Sequence, residues 1–381
     1  MTSYLALFVP VLCMTLVPVS FAAESSQILS GETVYQAKYQ LQLPLGLPAE
    51  HFIVVEDNPL NEDKIELGQM LFFDQRLSAD GTISCATCHL PQLAFTDGRQ
   101  QSQGIGGQTG ERNAPTLINR AFASKQFWDG RAASLEEQVK GPLISPTEMG
   151  MASHTIVVSR VAAITDYRKW FKKVFRSEIS IDNLTKAIAA FERILLSGNT
   201  KYDRFKAGDP QALSASEQRG LELFEGKARC NQCHSGFNFT DEEYHNIGVG
   251  WDKRRIDLGR YAVTSLQQDI GAFKTPTLRE VTRTAPYMHD GSMASLDEVI
   301  EFYDKGGIAN PFLDSEMRRL KLTMEQILDL YDKKTPTGTP PKQSVIKLDL
   351  TEQEKADLVV FLKALNGEGW QHIKPPEQLP Q

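Results

Sequence analysis

One five-residue pattern, C-x-x-C-H, occurs twice in the chain and constrains its fold more than any other feature. The matching residues are Cys85, Cys88 and His89 in the first copy and Cys230, Cys233 and His234 in the second. Two thiols at this spacing add to the vinyl groups of a haem, and the adjacent histidine then binds the iron. One copy alone is also compatible with a redox or zinc C-x-x-C that precedes a histidine. Two copies favour haem, so the sequence predicts two covalently bound haem c groups.

Length and charge narrow the class of protein. A chain of 381 residues buries roughly three quarters of its unfolded surface and usually divides into two domains. One haem motif in each half agrees with that division. The net charge of -7 comes without a block of basic residues, which argues against a nucleic-acid partner and fits basic or neutral partners.

The N-terminal segment predicts export. Residues 4–21 are nearly all apolar, and Ser20-Phe21-Ala22 fits a cleavage site, so residues 1–22 are interpreted as a signal peptide. No Lys or Arg precedes the apolar run, which departs from the usual pattern. The alternative is a retained membrane anchor, although the run is short for a span and contains Pro10 and Pro18.

Cysteine usage agrees with export. Of the five cysteines, Cys13 lies in the predicted signal peptide and the other four belong to the haem motifs. No thiol is left for a structural disulfide. Haem c is attached outside the cytoplasmic membrane in bacteria, so a bacterial source implies a periplasmic protein.

Helix patterns dominate the rest of the chain, and strand signals are sparse. Residues 23–60 are expected to form an extended N-terminal arm, because Pro44 and Pro48 exclude a helix interior there. Apolar spacing and capping residues predict helices at 61–73, 135–140, 156–163, 169–175, 184–196, 214–225 and 349–365. Residues 96–112 have no apolar period and are expected to form a long loop.

The expected fold class is all-α, with two cytochrome c-like haem domains joined by long loops. Gly198 is a plausible helix stop, and residues 197–209 interrupt the apolar period. We therefore expect an N-terminal haem domain over 61–205, a C-terminal haem domain over 206–370 and a tail over 371–381.

The two haems are expected to differ in their axial ligands. His89 and His234 supply one ligand each, but no His or Met occurs between Leu90 and Trp128. The first iron therefore has no obvious local sixth ligand, and peroxide or oxygen can bind there. Glu148 is a candidate proton carrier, since burial in a haem pocket raises the pKa of a carboxyl group. Its alternative is an ordinary surface carboxylate.

Several further runs agree in order with one known family. They are E-L-G at 66–68, L-F-F-D at 71–74, R-N-A-P-T at 112–116, Q-F-W-D-G-R at 126–131, P-T-E-M at 146–149, K-T-P-T-L-R at 274–279 and T-A-P-Y-M-H-D-G at 284–291. With both haem motifs, they make the chain resemble the bacterial di-haem cytochrome c peroxidase family, including its MauG branch. The resemblance covers most of residues 60–305.

The resemblance implies roles for several residues. Gln138 and Glu148 are similar to the distal-pocket glutamine and the catalytic glutamate of the family. Trp128 resembles the aromatic residue between the two haems, although an ordinary core tryptophan is the alternative. Asn113 and the carbonyls of Thr284 and Pro286 resemble a calcium site between the domains of family members, and such a set of oxygen ligands suits Ca²⁺.

Two departures from the family pattern concern iron ligation. Classical members carry a loop histidine about sixteen residues after the first motif, a place that falls near Ile105 here. This implies a first haem that is open without reductive activation. Classical members also carry a methionine fourteen residues after the histidine of the P-Y-x-H motif, and from His289 that count reaches Tyr303. MauG-type members use a tyrosine there; Met288, Met293 or His289 are the alternatives.

A tyrosine ligand matters because a thioether favours Fe(II), whereas a phenolate favours higher oxidation states. The resemblance thus implies a peroxidase that reduces hydrogen peroxide to water. Its electrons come from a small periplasmic redox protein and pass from the C-terminal haem to the N-terminal, peroxidatic haem. The alternative is a MauG-like oxidase that uses a high-valent di-haem state to oxidise residues of a partner protein. A plain electron carrier is a third reading. The sequence is compatible with a homodimer, and His245 is expected to be structural or to lie near a haem propionate.

Overall fold

The computed structural model describes residues 31–36, 39–321 and 342–381, and the predicted signal peptide lies outside these ranges. The described chain is mostly helical, which confirms that part of the predicted fold class. Its helices are α1 (Glu62–Phe73), α2 (Cys85–Cys88), α3 (Leu135–Ile144), α4 (His154–Ala162), α5 (Thr165–Phe175), α6 (Ile181–Glu192), α7 (Lys201–Lys206), α8 (Ala215–Glu225), α9 (Tyr261–Thr264), α10 (Leu296–Asp304) and α11 (Glu352–Lys363). Within those ranges, no helix is long and apolar enough to cross a bilayer.

The best-predicted helices begin at side-chain caps. The Asn61 side chain accepts a hydrogen bond from the Lys64 amide at 2.9 Å at the start of α1. Helices α8 and α11 begin with capping boxes, in which Ser214 and Thr351 are the capping residues. A side-chain acceptor satisfies one of the free amides of a first turn, so these residue types fix where the helices start.

Two helix pairs carry the hydrophobic packing, and in each pair a glycine lets the two helices approach closely. Helix α1 packs on α6 at Gly68, where an added Cβ would lie 1.9 Å from the Ala187 carbonyl oxygen. Helix α8 packs on α11 at Gly220, where an added Cβ would lie 2.2 Å from the Asp357 carbonyl oxygen. The first pair belongs to a buried cluster that includes Phe72 and Phe191, and the second pair to a separate cluster around Phe361. Each cluster stands beside one C-x-x-C-H motif.

The sheets among the described residues are small, and each has two strands. In the predicted arm, β1 (Thr33–Gln36) and β2 (Tyr39–Gln42) pair antiparallel with Val34 opposite Leu41. Strands β3 (Tyr244–His245) and β4 (Phe273–Lys274) pair Tyr244 with Lys274, and β5 (Arg318–Lys321) pairs with β6 (Lys342–Val345). The described start of the arm therefore contains an antiparallel strand pair, and Leu43 and Leu47 after it are buried.

Several predicted helix boundaries are wrong. Helix α5 begins at Thr165 and not at 169, and α6 runs from Ile181 to Glu192 and not from 184 to 196, although Leu195 and Leu196 continue the buried apolar pattern outside the helix. Helix α3 continues to Ile144, past the predicted end at 140, with Pro142 in its last turn. Helix α7 lies within residues 197–209, the expected domain boundary, and begins at a capping box formed by Thr200 and Asp203.

The end of the chain returns to the first helical cluster. Trp370 and Ile373 are buried in the cluster that contains α1 and α6, and the Trp370 ring lies 6.2 Å from the Phe95 ring. The Arg76 guanidinium donates to the Pro380 carbonyl at 2.9 Å. The C-terminal tail thus packs on residues from the N-terminal part of the chain.

Candidate functional site

The first motif opens into a cavity of about 670 Å³, called here the N-terminal cavity. Cys85, Cys88 and His89 line it. The His89 Nδ1 atom lies 2.9 Å from the Phe95 carbonyl oxygen. A carbonyl only accepts, so Nδ1 carries the hydrogen and Nε2 keeps its lone pair for a metal. This arrangement fits a histidine that ligates haem iron.

The predicted distal residues line the same cavity. Gln138 comes from α3 and Glu148 from the turn that follows it, and both are half-buried. Neither side chain makes a hydrogen bond to another described residue, so both polar ends are available to a ligand in the cavity. Met149 is also part of the lining, but its side chain belongs to the first hydrophobic cluster.

The loop over 96–112 supports Glu148 through its backbone. The Ile105 amide donates to the Glu148 carbonyl at 2.9 Å. Gly104 lies so close that an added Cβ would be 2.6 Å from the same carbonyl oxygen. The Ile105 side chain points to Gly150, where its Cδ1 occupies the space of a side chain, and Ile105 does not line the cavity. Where classical family members carry a blocking histidine, this chain has a packed aliphatic side chain.

The second motif opens into a smaller cavity of about 250 Å³, the C-terminal cavity. The His234 Nδ1 atom lies 3.1 Å from the Phe239 carbonyl, which again leaves Nε2 free. Tyr303, from α10, lines this cavity, and its hydroxyl makes no hydrogen bond to a described residue. Met288 and His289 line the cavity as well. Two of the alternative iron ligands, Met288 and His289, therefore lie in the same cavity as Tyr303.

Burial raises the thiol pKa of three of the four motif cysteines. It raises the pKa of Cys88 to about 11 and that of Cys230 to about 12. Burial also raises the pKa of Cys85. Thiols at the edge of a large cavity fit covalent attachment of a haem.

Trp128 lies at the junction of the two cavities and lines both of them. Its indole nitrogen donates to the Asn113 carbonyl at 2.9 Å, and its own carbonyl accepts from the Lys274 amide at 2.8 Å. Arg120 and Lys274 also line both cavities. Burial lowers the pKa of Lys274 to about 8. The junction therefore holds a fixed aromatic ring and two buried cationic side chains.

The three residues of the predicted calcium site gather at the C-terminal cavity. Asn113, Thr284 and Pro286 all line it. The Asn113 side-chain amide donates to the Arg99 carbonyl at 2.7 Å, and its backbone amide donates to the His289 carbonyl at 2.8 Å. These bonds fix the amide so that its oxygen is the free end, as an oxygen-ligand cation site requires.

Two further groups lie at the cavities: Glu192, which was not predicted, and His245, which was expected to be structural or to lie near a haem propionate. Glu192 lines the N-terminal cavity, is 4% exposed and has a carboxylate oxygen without a partner among the described residues. Burial raises its pKa to about 8. His245 lines the C-terminal cavity between Asp314, 2.7 Å away, and Asp241, 2.9 Å away. Burial alone lowers the His245 pKa, but these two hydrogen bonds outweigh it and raise the pKa to about 12.

Comparison with known proteins decides the family. A family model described as di-haem cytochrome c peroxidase matches residues 62–211. The MauG protein of Methylorubrum extorquens is 40% identical over 353 residues, which cover 92% of this chain and 90% of that protein. The chain belongs to the di-haem cytochrome c peroxidase and MauG family. It is therefore an oxidoreductase of the di-haem class, and the family implies haem c cofactors.

Other members of the di-haem family are similar over most of their length. The cytochrome c551 peroxidase of Nitrosomonas europaea is 40% identical over 286 residues, covering 74% of this chain and 85% of that protein. A solved structure described as a MauG-like protein associated with microbial copper homeostasis has a TM-score of 0.69 and 34% identity. That match covers 85% of this chain and 96% of the other. Peroxidases and MauG proteins are thus both among the relatives.

Proposed function

We propose that the protein is a periplasmic di-haem peroxidase that reduces hydrogen peroxide to water at the N-terminal cavity. Its electrons come from a small redox protein and pass from the haem at His234 to the haem at His89. One observation carries this proposal. Gln138 and Glu148 have unpartnered polar ends in the same cavity as the free Nε2 of His89.

The residues of this cavity suit the cleavage of a peroxide bond. The haem supplies an iron to which peroxide binds. The Glu148 carboxylate would accept the proton of the peroxide oxygen nearer the iron and return it to the other oxygen, which leaves as water. The Gln138 amide would orient the peroxide by hydrogen bonding. A group that transfers a proton in this way contributes about 10²- to 10⁴-fold in rate. The backbone contact from Ile105 holds Glu148 at a fixed position.

Electron transfer between the two haem sites is assigned to the junction of the two cavities. Trp128 lines both cavities, so its ring provides a stepping point for an electron that travels between the two haems. The buried Arg120 and Lys274 suit the propionate groups that a haem carries at its edge. Asn113, Thr284 and Pro286 are proposed to bind Ca²⁺ beside this junction.

The proposed organisation follows the two motifs. The N-terminal haem domain covers 61–205 and the C-terminal haem domain covers 206–370. The two separate hydrophobic clusters support this division, although Trp370 packs with the N-terminal cluster. Export to the periplasm rests on the sequence of residues 1–22 and on the need to attach haem c outside the cytoplasmic membrane.

A second function is favoured by a specific observation. Tyr303 lines the C-terminal cavity with His234, and a phenolate ligand stabilises higher oxidation states of iron than a methionine does. With the open site at His89, this favours a MauG-like oxidase that removes electrons from residues of a partner protein. The 40% identity to a MauG protein agrees with this alternative.

The test is to mix the diferric protein with one equivalent of hydrogen peroxide and to follow the absorption spectrum. We expect an immediate reaction without prior reduction, because no histidine occupies the place of Ile105. Rapid return to the ferric spectrum with a small reduced cytochrome supports the peroxidase. A long-lived oxidised species that decays only with a protein substrate supports the MauG-like oxidase. No reaction until one haem is reduced contradicts the open site.

A further inference from the structure

Tyr244 lies beside the junction of the two cavities but lines neither of them. It is the first residue of β3 and pairs with Lys274 of β4. The Lys274 amide in turn donates to the Trp128 carbonyl at 2.8 Å. One strand pairing and one backbone hydrogen bond therefore connect Tyr244 to Trp128, which lines both cavities.

The phenol group of Tyr244 is buried in an unusual way. Its oxygen is inaccessible and makes no hydrogen bond to a described residue. It lies against Gly130, where an added Cβ would be 1.8 Å away, so only glycine leaves room for it. Gly130 is two residues from Trp128, and successive Cα atoms are about 3.8 Å apart, so the phenol oxygen lies within roughly 11 Å of the Trp128 Cα.

An unpartnered buried hydroxyl is destabilising and calls for an explanation, of which a redox role is one. The neighbouring Glu242 also has a buried oxygen without a hydrogen-bond partner among the described residues. One of its carboxylate oxygens accepts from Lys274 Nζ at 2.7 Å, while the other is buried without a partner. Burial raises the pKa of Tyr244, the Arg260 charge lowers it, and the Glu242 and Glu243 charges raise it, so that the pKa is raised overall. The resting phenol is therefore neutral.

A cation covers the ring. The Arg260 guanidinium lies 4.3 Å from the centroid of Tyr244, and it donates to the Asp129 and Gly130 carbonyls. A positive charge against the ring disfavours a second positive charge on it. Oxidation of Tyr244 must then release its proton, and Glu242, whose charge raises the pKa of the phenol, is the candidate acceptor.

We propose that Tyr244 is a redox-active residue that passes oxidising equivalents from Trp128 towards the surface, with Glu242 as its proton acceptor. The inference rests on the proposed function, since peroxide is the oxidant. One electron leaves the phenol through Trp128 for the peroxide-oxidised haem centre, and the phenol proton moves to Glu242. The product is a neutral tyrosyl radical and a centre reduced by one electron. An external donor then returns an electron, and the proton comes back to the phenol.

The test compares the holoprotein with Tyr244→Phe, which keeps the ring under Arg260 and removes only the hydroxyl. The matched control is Tyr35→Phe in the N-terminal strand pair, where the tyrosine is 70% exposed. Each protein, made with ordinary or ring-deuterated tyrosine, is mixed with one equivalent of hydrogen peroxide, frozen at set times and examined by EPR. Stopped-flow absorption gives the lifetime of the oxidised centre in parallel.

We expect a radical signal in the wild type and in Tyr35→Phe that narrows with deuterated tyrosine. In Tyr244→Phe that signal should be absent, and the oxidised centre should persist several-fold longer. An unchanged tyrosyl signal or an unchanged lifetime in Tyr244→Phe would overturn the inference while the proposed function stands. A wild-type protein that does not react with peroxide in the diferric or the half-reduced state would overturn both.

Discussion

The contact between Ile105 and Gly150 gives a direct test of how Glu148 is held. Gly150 has a φ of +66°, and a Cβ added there would lie 2.0 Å from Ile105 Cδ1. The change Gly150→Ala therefore forces the Ile105 side chain to move, and we predict that this movement reaches the Ile105 backbone. Because the Ile105 amide bonds to the Glu148 carbonyl, the carboxylate should move with it.

Gly150→Ala should lower the free energy of unfolding for two reasons. Alanine in a left-handed conformation costs roughly 1–2 kcal/mol, and overpacking adds roughly 1–3 kcal/mol, so the free energy of unfolding should fall by roughly 2–5 kcal/mol. Gly81 provides a matched control, since its φ is +75° and an added Cβ would meet nothing within 4 Å. Gly81→Ala should therefore show only the cost of the left-handed conformation, about 1–2 kcal/mol.

The assay combines urea unfolding with stopped-flow mixing of the diferric protein and peroxide. A displacement of about 1 Å can slow a positioned reaction by about 10²-fold, and we expect a loss of this order in Gly150→Ala. Gly81→Ala should react at the wild-type rate. Adding Ile105→Val to Gly150→Ala removes the clashing Cδ1 and should restore part of the rate. Equal rates in Gly150→Ala and Gly81→Ala would refute the idea that this contact positions Glu148.

Two further predictions concern the acids of the N-terminal cavity. Glu148→Gln should slow the reaction with peroxide by about 10²- to 10⁴-fold. Glu137→Gln, eleven residues earlier and exposed on α3, should leave the rate unchanged in the same stopped-flow assay. Equal rates in the two variants would remove Glu148 from the mechanism. The pKa of Glu192 rises from 4.5 to about 8 on folding, so the folded state keeps a proton that the unfolded state loses, and stability should fall between these pH values by up to about 5 kcal/mol. Glu192→Gln should flatten that fall when urea unfolding is compared at pH 5 and pH 8; an unchanged pH dependence would contradict the burial of this carboxyl group.

The sequence predicted features that depend on neighbouring residues. The starts of α1, α8 and α11 follow from local caps, and the order of motifs identified the family before any geometry. Residues such as Glu148 and Gln138 were located through that resemblance, and the structure brings both to one cavity with His89. Local chemistry and a recognised pattern were sufficient for these elements.

Features that depend on distant partners were not predictable. One of the two carboxylates that raise the pKa of His245, Asp314, is 69 residues away along the chain. Glu192 resembles any glutamate near a helix end until packing buries it. The docking of Ile105 against Gly150 requires a loop and a turn to meet, and neither carries a periodic signal. Helix α7 was missed because its six residues are too short to show an apolar period.

The central claim is that the two haem sites are unequal: open at His89 and closed by Tyr303 at His234. The most direct measurement is the EPR spectrum of the ferric protein beside those of Tyr303→Phe and Tyr287→Phe. Tyr287 lines the same cavity and serves as the control. The account predicts one high-spin and one low-spin haem, with the low-spin signal lost or shifted only in Tyr303→Phe. Two low-spin haems in the wild type, or an unchanged spectrum in Tyr303→Phe, would contradict it.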